Sequence, residues 1–125
     1  MTILYEDNHI IAINKTCNEI VQGDKTGDVP VSELVKAYIK DKYDKPGEVF
    51  LGVTHRLDRP TTGVVLFART SKALVRLNEM FKSHEEIQKT YWAIVQTPPP
   101  APEGRLEHYL VRNEKQNKSY VVQPK

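Results

Sequence analysis

Five consecutive residues, His55-Arg56-Leu57-Asp58-Arg59, place a histidine, two arginines and a carboxylate within one short stretch. Pro60-Thr61-Thr62-Gly63 follows, a set of small, turn-forming residues. The chain then enters Val64-Val65-Leu66-Phe67-Ala68, which is apolar enough for a buried strand. A carboxylate so placed lies on a loop held by a rigid strand. The flanking guanidinium groups suit phosphate, and Asp58 beside them is expected to be ionised at neutral pH. Such a loop offers a nucleophile or base inside a site that attracts anions. Read as an ordinary turn residue, Asp58 would instead bind backbone N–H groups or pair with Arg56 or Arg59.

The elements that must position this loop are readable on either side of it. Ile3–Tyr5 and Ile10–Ile13 pattern as two short strands joined by a turn at residues 6–9. Ser32 is an N-cap candidate for a helix over about residues 32–43, with Leu34, Val35, Tyr38 and Ile39 at helical spacing. Phe50–Val53 reads as a strand leading into the His55 loop. Ser71 is expected to cap a second helix, in which Leu74, Leu77, Phe81 and His84 recur at i, i+3, i+7 and i+10. Gln88–Val95 reads as a strand, which would put Lys89 and Tyr91 on one side of it. The proline-rich run at 97–102 cannot enter a sheet interior. Leu106–Arg112 and Ser119–Gln123 pattern as two further strands. The expected class is α+β: a mixed, mostly antiparallel sheet with two helices on one face.

Length and composition narrow the function. A chain of 125 residues is one domain at most, expected to span 1–125. Residues 1–54 carry 6 Lys+Arg against 9 Asp+Glu, whereas residues 55–92 carry 7 against 4. The basic excess therefore begins at the His55 loop, a weak electrostatic footprint for nucleic acid. The single cysteine, Cys17, excludes an intramolecular disulfide and a cysteine-built zinc site. The four histidines have no metal-ligand spacing, so no metal is expected. The start has no basic n-region and no apolar run approaches a membrane span, which points to a cytoplasmic protein away from membranes.

The nine residues His55–Gly63 resemble the catalytic loop of the RluA-type pseudouridine synthases, which reads H-R-L-D-R, one variable residue, then T-S/T-G. Lys89-Thr90-Tyr91 resembles that family's K-x-Y motif. Ile10-Ile11-Ala12-Ile13-Asn14-Lys15 resembles the opening of its fold, although Thr16-Cys17-Asn18 stands where Pro, a small residue and Gly are usual. Three motifs in order make the resemblance specific. It implies part of a pseudouridine synthase catalytic domain that isomerises uridine in structured ribosomal or transfer RNA.

By the same resemblance, Asp58 is the essential acid and Tyr91 stacks on the flipped base and takes the proton from its carbon 5. Arg56 fills the space the base vacates. His55, Arg59 and Thr62 are expected to contact or position the substrate, and Lys89 reads either as a phosphate contact or as a solvated lysine at a strand end. No cofactor is implied, because the reaction is redox-neutral. Chemistry on a stacked base requires the nucleotide to leave the helix, at a cost of a few kcal/mol.

The family's catalytic domain continues into an R-T-H-Q-I-R-like segment whose basic residue pairs with the aspartate. The chain stops at Lys125 before such a motif. It is therefore expected to be a truncated member, inactive or nearly so alone. An RNA-binding module without catalysis is the alternative. A small hydrolase using His55 and Asp58 is a third reading, disfavoured because no nucleophilic Ser or Cys motif accompanies them.

Overall fold

The computed structural model describes residues 1–124, which divide into two compact units, residues 1–90 and residues from Tyr91 onward. In the first unit, β1 (Thr2–Glu6) pairs antiparallel with β2 (Ile10–Lys15). The Asp7 carboxylate closes the turn between them, accepting from the backbone N–H of His9 at 2.7 Å and of Ile10 at 2.8 Å. Next in the chain come α1 (Val31–Lys42), the two-residue β3 (Gly52–Val53), β4 (Gly63–Ala68) and α2 (Ser71–Ser83). The sheet order is β1-β2-β4-β3, and every pairing among the described residues is antiparallel.

The two helices pack on opposite faces of this sheet, which corrects the expectation of a single helical face. Strand register decides the matter, because alternate residues point to opposite sides. In the β2–β4 pair, Ile11 lies opposite Phe67 and Ile13 opposite Val65. Val31, Val35 and Ile39 of α1 cluster with these four residues. The intervening positions face the other way: Ala73 and Leu77 of α2 cluster with Ala68, and Ile10, Leu66 and Leu74 pack against them. Ile11, Ile13, Val35, Val65 and Phe67 are fully buried, each contributing roughly 1.5–3 kcal/mol relative to exposure.

Both helix starts differ from expectation by small shifts with clear causes. The α1 cap is Pro30, with no side-chain hydrogen bond. Val31 and Ser32 donate their backbone N–H groups to the carbonyls of Ile20 and Val21, at 2.8 and 3.2 Å. The orphan donors of the first turn are thus satisfied by the preceding loop, and Ser32 is buried instead of capping. At α2 the cap is Thr70, whose hydroxyl accepts from the Ala73 N–H at 3.1 Å. His84 lies outside the helix, as its left-handed C-cap.

Gln88–Val95 forms no strand. No described segment pairs with it, so its strand-like composition has no ladder to join. The second unit carries a hairpin of β5 (Tyr109–Asn113) and β6 (Lys118–Val122), whose side chains are exposed throughout. No helix is long and apolar enough to cross a membrane among the described residues.

Candidate active site

The His55 loop leaves the sheet at β3 and returns to it at β4, so both its ends are fixed by paired strands. The Thr61 N–H donates to the Asp58 carbonyl at 2.9 Å, closing a turn over Arg59-Pro60. Leu57 faces inward and packs against the core that α1 covers. Arg56 and Asp58, on either side of it, are exposed. Gly63 ends the loop with φ of +140°. A Cβ there would meet Leu57 only at ordinary contact distance, 3.6 Å, so the backbone angle is what calls for glycine.

Lys15 holds the loop from beneath. It occupies the inward register of β2 after Ile11 and Ile13, and it is fully buried. Its Nζ donates to the carbonyls of Thr16 and Asp58 at 3.1 Å, Arg59 at 2.9 Å and Thr61 at 2.6 Å. Burial pushes the ammonium pKa down, opposed by the negative charge of Glu19. The carbonyl cage replaces the water it has lost, as a buried ammonium requires. The alternation Ile11, Ile13, Lys15 is the sequence signal for this role: a charge in a core register must find buried partners.

Arg59 is committed to the protein. One guanidinium nitrogen donates to the Asn18 carbonyl and to Asp28, both at 3.0 Å, and the other to Asp24 at 3.2 Å and the Thr26 hydroxyl at 3.3 Å. The Asn18 N–H returns a bond to the Arg59 carbonyl at 2.9 Å. Two carboxylates thus already neutralise Arg59, the residue expected to contact substrate. The ion pairs among the described residues include neither Arg56 nor Asp58. Among the described residues, Asp58 therefore makes no ion pair with Arg56 or Arg59, one of the two contacts expected of an ordinary turn aspartate.

His55 is half-buried, and its Nε2 accepts the Leu66 N–H at 3.0 Å. Its ring stacks on Phe81, with centroids 4.7 Å apart. The Lys89 ammonium lies 5.7 Å from the Phe81 centroid, so Lys89 reaches the base of the loop although it is not in a strand. Thr62 is exposed on the loop. Tyr91 belongs to the second unit and is 63% exposed. Arg56, Asp58, Thr62, His55 and Lys89 all belong to the first unit. Among the described residues no group of three or more His, Cys, Asp or Glu could hold a metal ion.

Comparison with known proteins agrees with this loop. The family described as RNA pseudouridylate synthase matches residues 9–125. The chain is 38% identical over 98 residues to the tRNA pseudouridine synthase C of Pectobacterium carotovorum subsp. carotovorum, covering 76% of this chain and 24% of that protein. It is 31% identical over 120 residues to the ribosomal large subunit pseudouridine synthase C of Buchnera aphidicola subsp. Schizaphis graminum, covering 96% and 36%. Among solved structures, human RNA Pseudouridylate Synthase Domain Containing 4 matches with a TM-score of 0.57 and 26% identity, over 67% of this chain and 30% of that one. The chain therefore spans about a quarter to a third of the length of these relatives. With the loop, its supports and these likenesses in agreement, the chain belongs to the RNA pseudouridylate synthase family, as a member of RluA type.

Proposed function

We propose that this chain carries the reacting loop of an enzyme that converts uridine to pseudouridine in structured ribosomal or transfer RNA. One observation carries the reading furthest: Asp58 and Arg56 are exposed and, among the described residues, in no ion pair, on a loop whose backbone is fixed by buried Lys15. Exposed charge on a rigid backbone suits catalysis, because the reacting group is held in place while its charge stays available.

The target nucleotide swings out of its helix, and Arg56 fills the gap and bonds the orphaned partner base. Asp58 acts on the sugar as the bond between N1 and C1′ breaks. The uracil stays in the site, turns, and bonds to C1′ through C5. The proton on C5 then leaves, with Tyr91 its acceptor, and N1 takes up a proton, so that the product is an isomer of the substrate. Lys89 and Arg56 meet backbone phosphate. No electrons are gained or lost, so no redox cofactor takes part, and the enzyme works in the cytoplasm beside its RNA. The names of the relatives support the substrate class: one is a transfer-RNA enzyme and another a large-ribosomal-subunit enzyme.

The test is the protein in excess over unmodified transcript RNA, with nucleosides resolved by mass spectrometry and RNA binding followed in parallel. Pseudouridine that depends on Asp58 supports the reading. RNA that is bound yet never isomerised replaces it with that of an RNA-binding module.

A further inference from the structure

The place where β3 leaves the sheet is built in an unusual way. Backbone pairing between β3 and β4 runs Gly52 with Ala68 and Val53 with Phe67. The next pair in register would join residue 54 to Leu66, and there the backbone ladder stops. Both backbone groups of Leu66 are taken by side chains instead. The Thr54 hydroxyl donates to the Leu66 carbonyl at 2.8 Å, and His55 Nε2 accepts the Leu66 N–H at 3.0 Å. Two consecutive side chains substitute for one rung of strand. The main chain is then free to rise away from the sheet without leaving a part-buried amide unpaired.

We propose that His55 is a positioning residue: in its neutral form, with the proton on Nδ1, it pins Leu66 and so fixes the root of the Arg56–Asp58 loop. Its catalytic meaning rests on the reading of Asp58 given above. An imidazole that accepts through Nε2 cannot carry a proton there. The protonated ring would set N–H against N–H, and the rung would open. Burial is the first cause holding the His55 pKa below its ordinary value, and the positive charge of Lys89 is the second. Phe81 of α2 and the Leu66 backbone of β4, which also contact the ring, carry no charge. Arg56 and Asp58 are the charged neighbours on its own loop. A histidine that bound phosphate directly would need the opposite state, protonated with that N–H free.

Variants separate the acceptor from the packing. His55→Gln keeps an acceptor oxygen that can reach the Leu66 N–H. His55→Phe keeps a ring against Phe81 but has no acceptor. The experiment is nuclear magnetic resonance on the isotope-labelled protein without RNA. Long-range proton–nitrogen correlations on the wild-type ring at pH 7 should show Nδ1 protonated and Nε2 bare. Leu66 amide protection, corrected for intrinsic exchange, should fall about tenfold in His55→Phe and stay within about threefold of wild type in His55→Gln. A tenfold change corresponds to about 1.4 kcal/mol, within the range of one lost hydrogen bond. Order parameters of the Arg56 and Asp58 amides should drop in the Phe variant alone.

A protonated Nε2 at pH 7 would overturn the proposal without any variant. So would unchanged Leu66 protection, or unchanged loop order, in His55→Phe. These readouts need no RNA, so their failure leaves the synthase reading standing. An inactive protein with all of them as expected would leave the pin standing.

Discussion

Replacing Lys15 by methionine keeps the length and apolar stem of the side chain but removes every donor. The carbonyls of Asp58, Arg59 and Thr61 then lose a partner supplied from more than 40 residues away in sequence. Hydrogen bonds to a charged group contribute roughly 1.5–3 kcal/mol each, which sets a ceiling of about 4.5–9 kcal/mol for the three. Two effects bring the figure down. Burying the ammonium has its own cost, visible in its lowered pKa, and methionine avoids it. Asp58 and Pro60 are exposed, so water can reach part of the freed loop. The expected net loss is about 2–4 kcal/mol, a large share of the roughly 5–15 kcal/mol of a typical domain. Urea unfolding followed by circular dichroism reads this directly. With m near ~1.5 kcal/mol/M, a loss of about 3 kcal/mol moves the midpoint by about 2 M. Amide exchange at Thr61 and Asn18, whose N–H groups bond the Asp58 and Arg59 carbonyls, should quicken alongside. A loss below about 1 kcal/mol with both amides still protected would refute the view that Lys15 holds the loop.

Gly63→Ala should destabilise by about 1–3 kcal/mol in the same urea assay, because φ of +140° strains any other residue; an unchanged midpoint would show that the backbone relaxes. Glu6 accepts from the hydroxyls of Tyr43 and Tyr38 and from Lys42. The Tyr43 hydroxyl is the largest cause lowering its pKa, with burial opposing. The stability it supplies is therefore full above the ordinary carboxylate pKa and lost as pH falls through the lower folded value. Glu6→Gln should flatten that acid limb in thermal melts, and melts with identical pH dependence would remove Glu6 from the account. Arg56→Ala should reduce the slope of log affinity for RNA against log salt by about one, whereas Arg59→Ala should leave it unchanged, since Asp24 and Asp28 already neutralise Arg59. Equal slopes for the two variants would mean that RNA pulls Arg59 from its latch.

Short-range patterns in the sequence were the reliable ones. The i, i+3, i+7 spacing of Leu74, Leu77 and Phe81 lies on α2, and the apolar runs at 10–13 and 64–68 are β2 and β4. What they left open was parity. Ile10-Ile11-Ala12-Ile13 is apolar on both faces, so alternation could not say where each helix goes; a run of this kind is itself the mark of a strand covered on two sides. Long-range polar partners were equally hidden. Nothing near Arg59 in sequence reveals Asp24 and Asp28, 35 and 31 residues earlier, because loop closure brings them together. His55 was legible as a loop residue but its partner was not, since the Leu66 N–H becomes available only where β3 ends. The strand expected over Gln88–Val95 failed for a related reason. Composition favours a strand, but pairing makes one, and there Trp92 is left 97% exposed.

The central claim is that Asp58 performs the isomerisation, and its direct test compares wild type with Asp58→Asn. The substitution keeps the shape of the side chain and removes its charge, and the carbonyl that Lys15 binds is untouched. Each protein is incubated in excess with unmodified transfer and ribosomal RNA transcripts, and the digested nucleosides are separated by mass. The account predicts slow pseudouridine formation by wild type and none by the Asn variant, with RNA affinity equal within about twofold. Pseudouridine made by the Asn variant as fast as by wild type would contradict it.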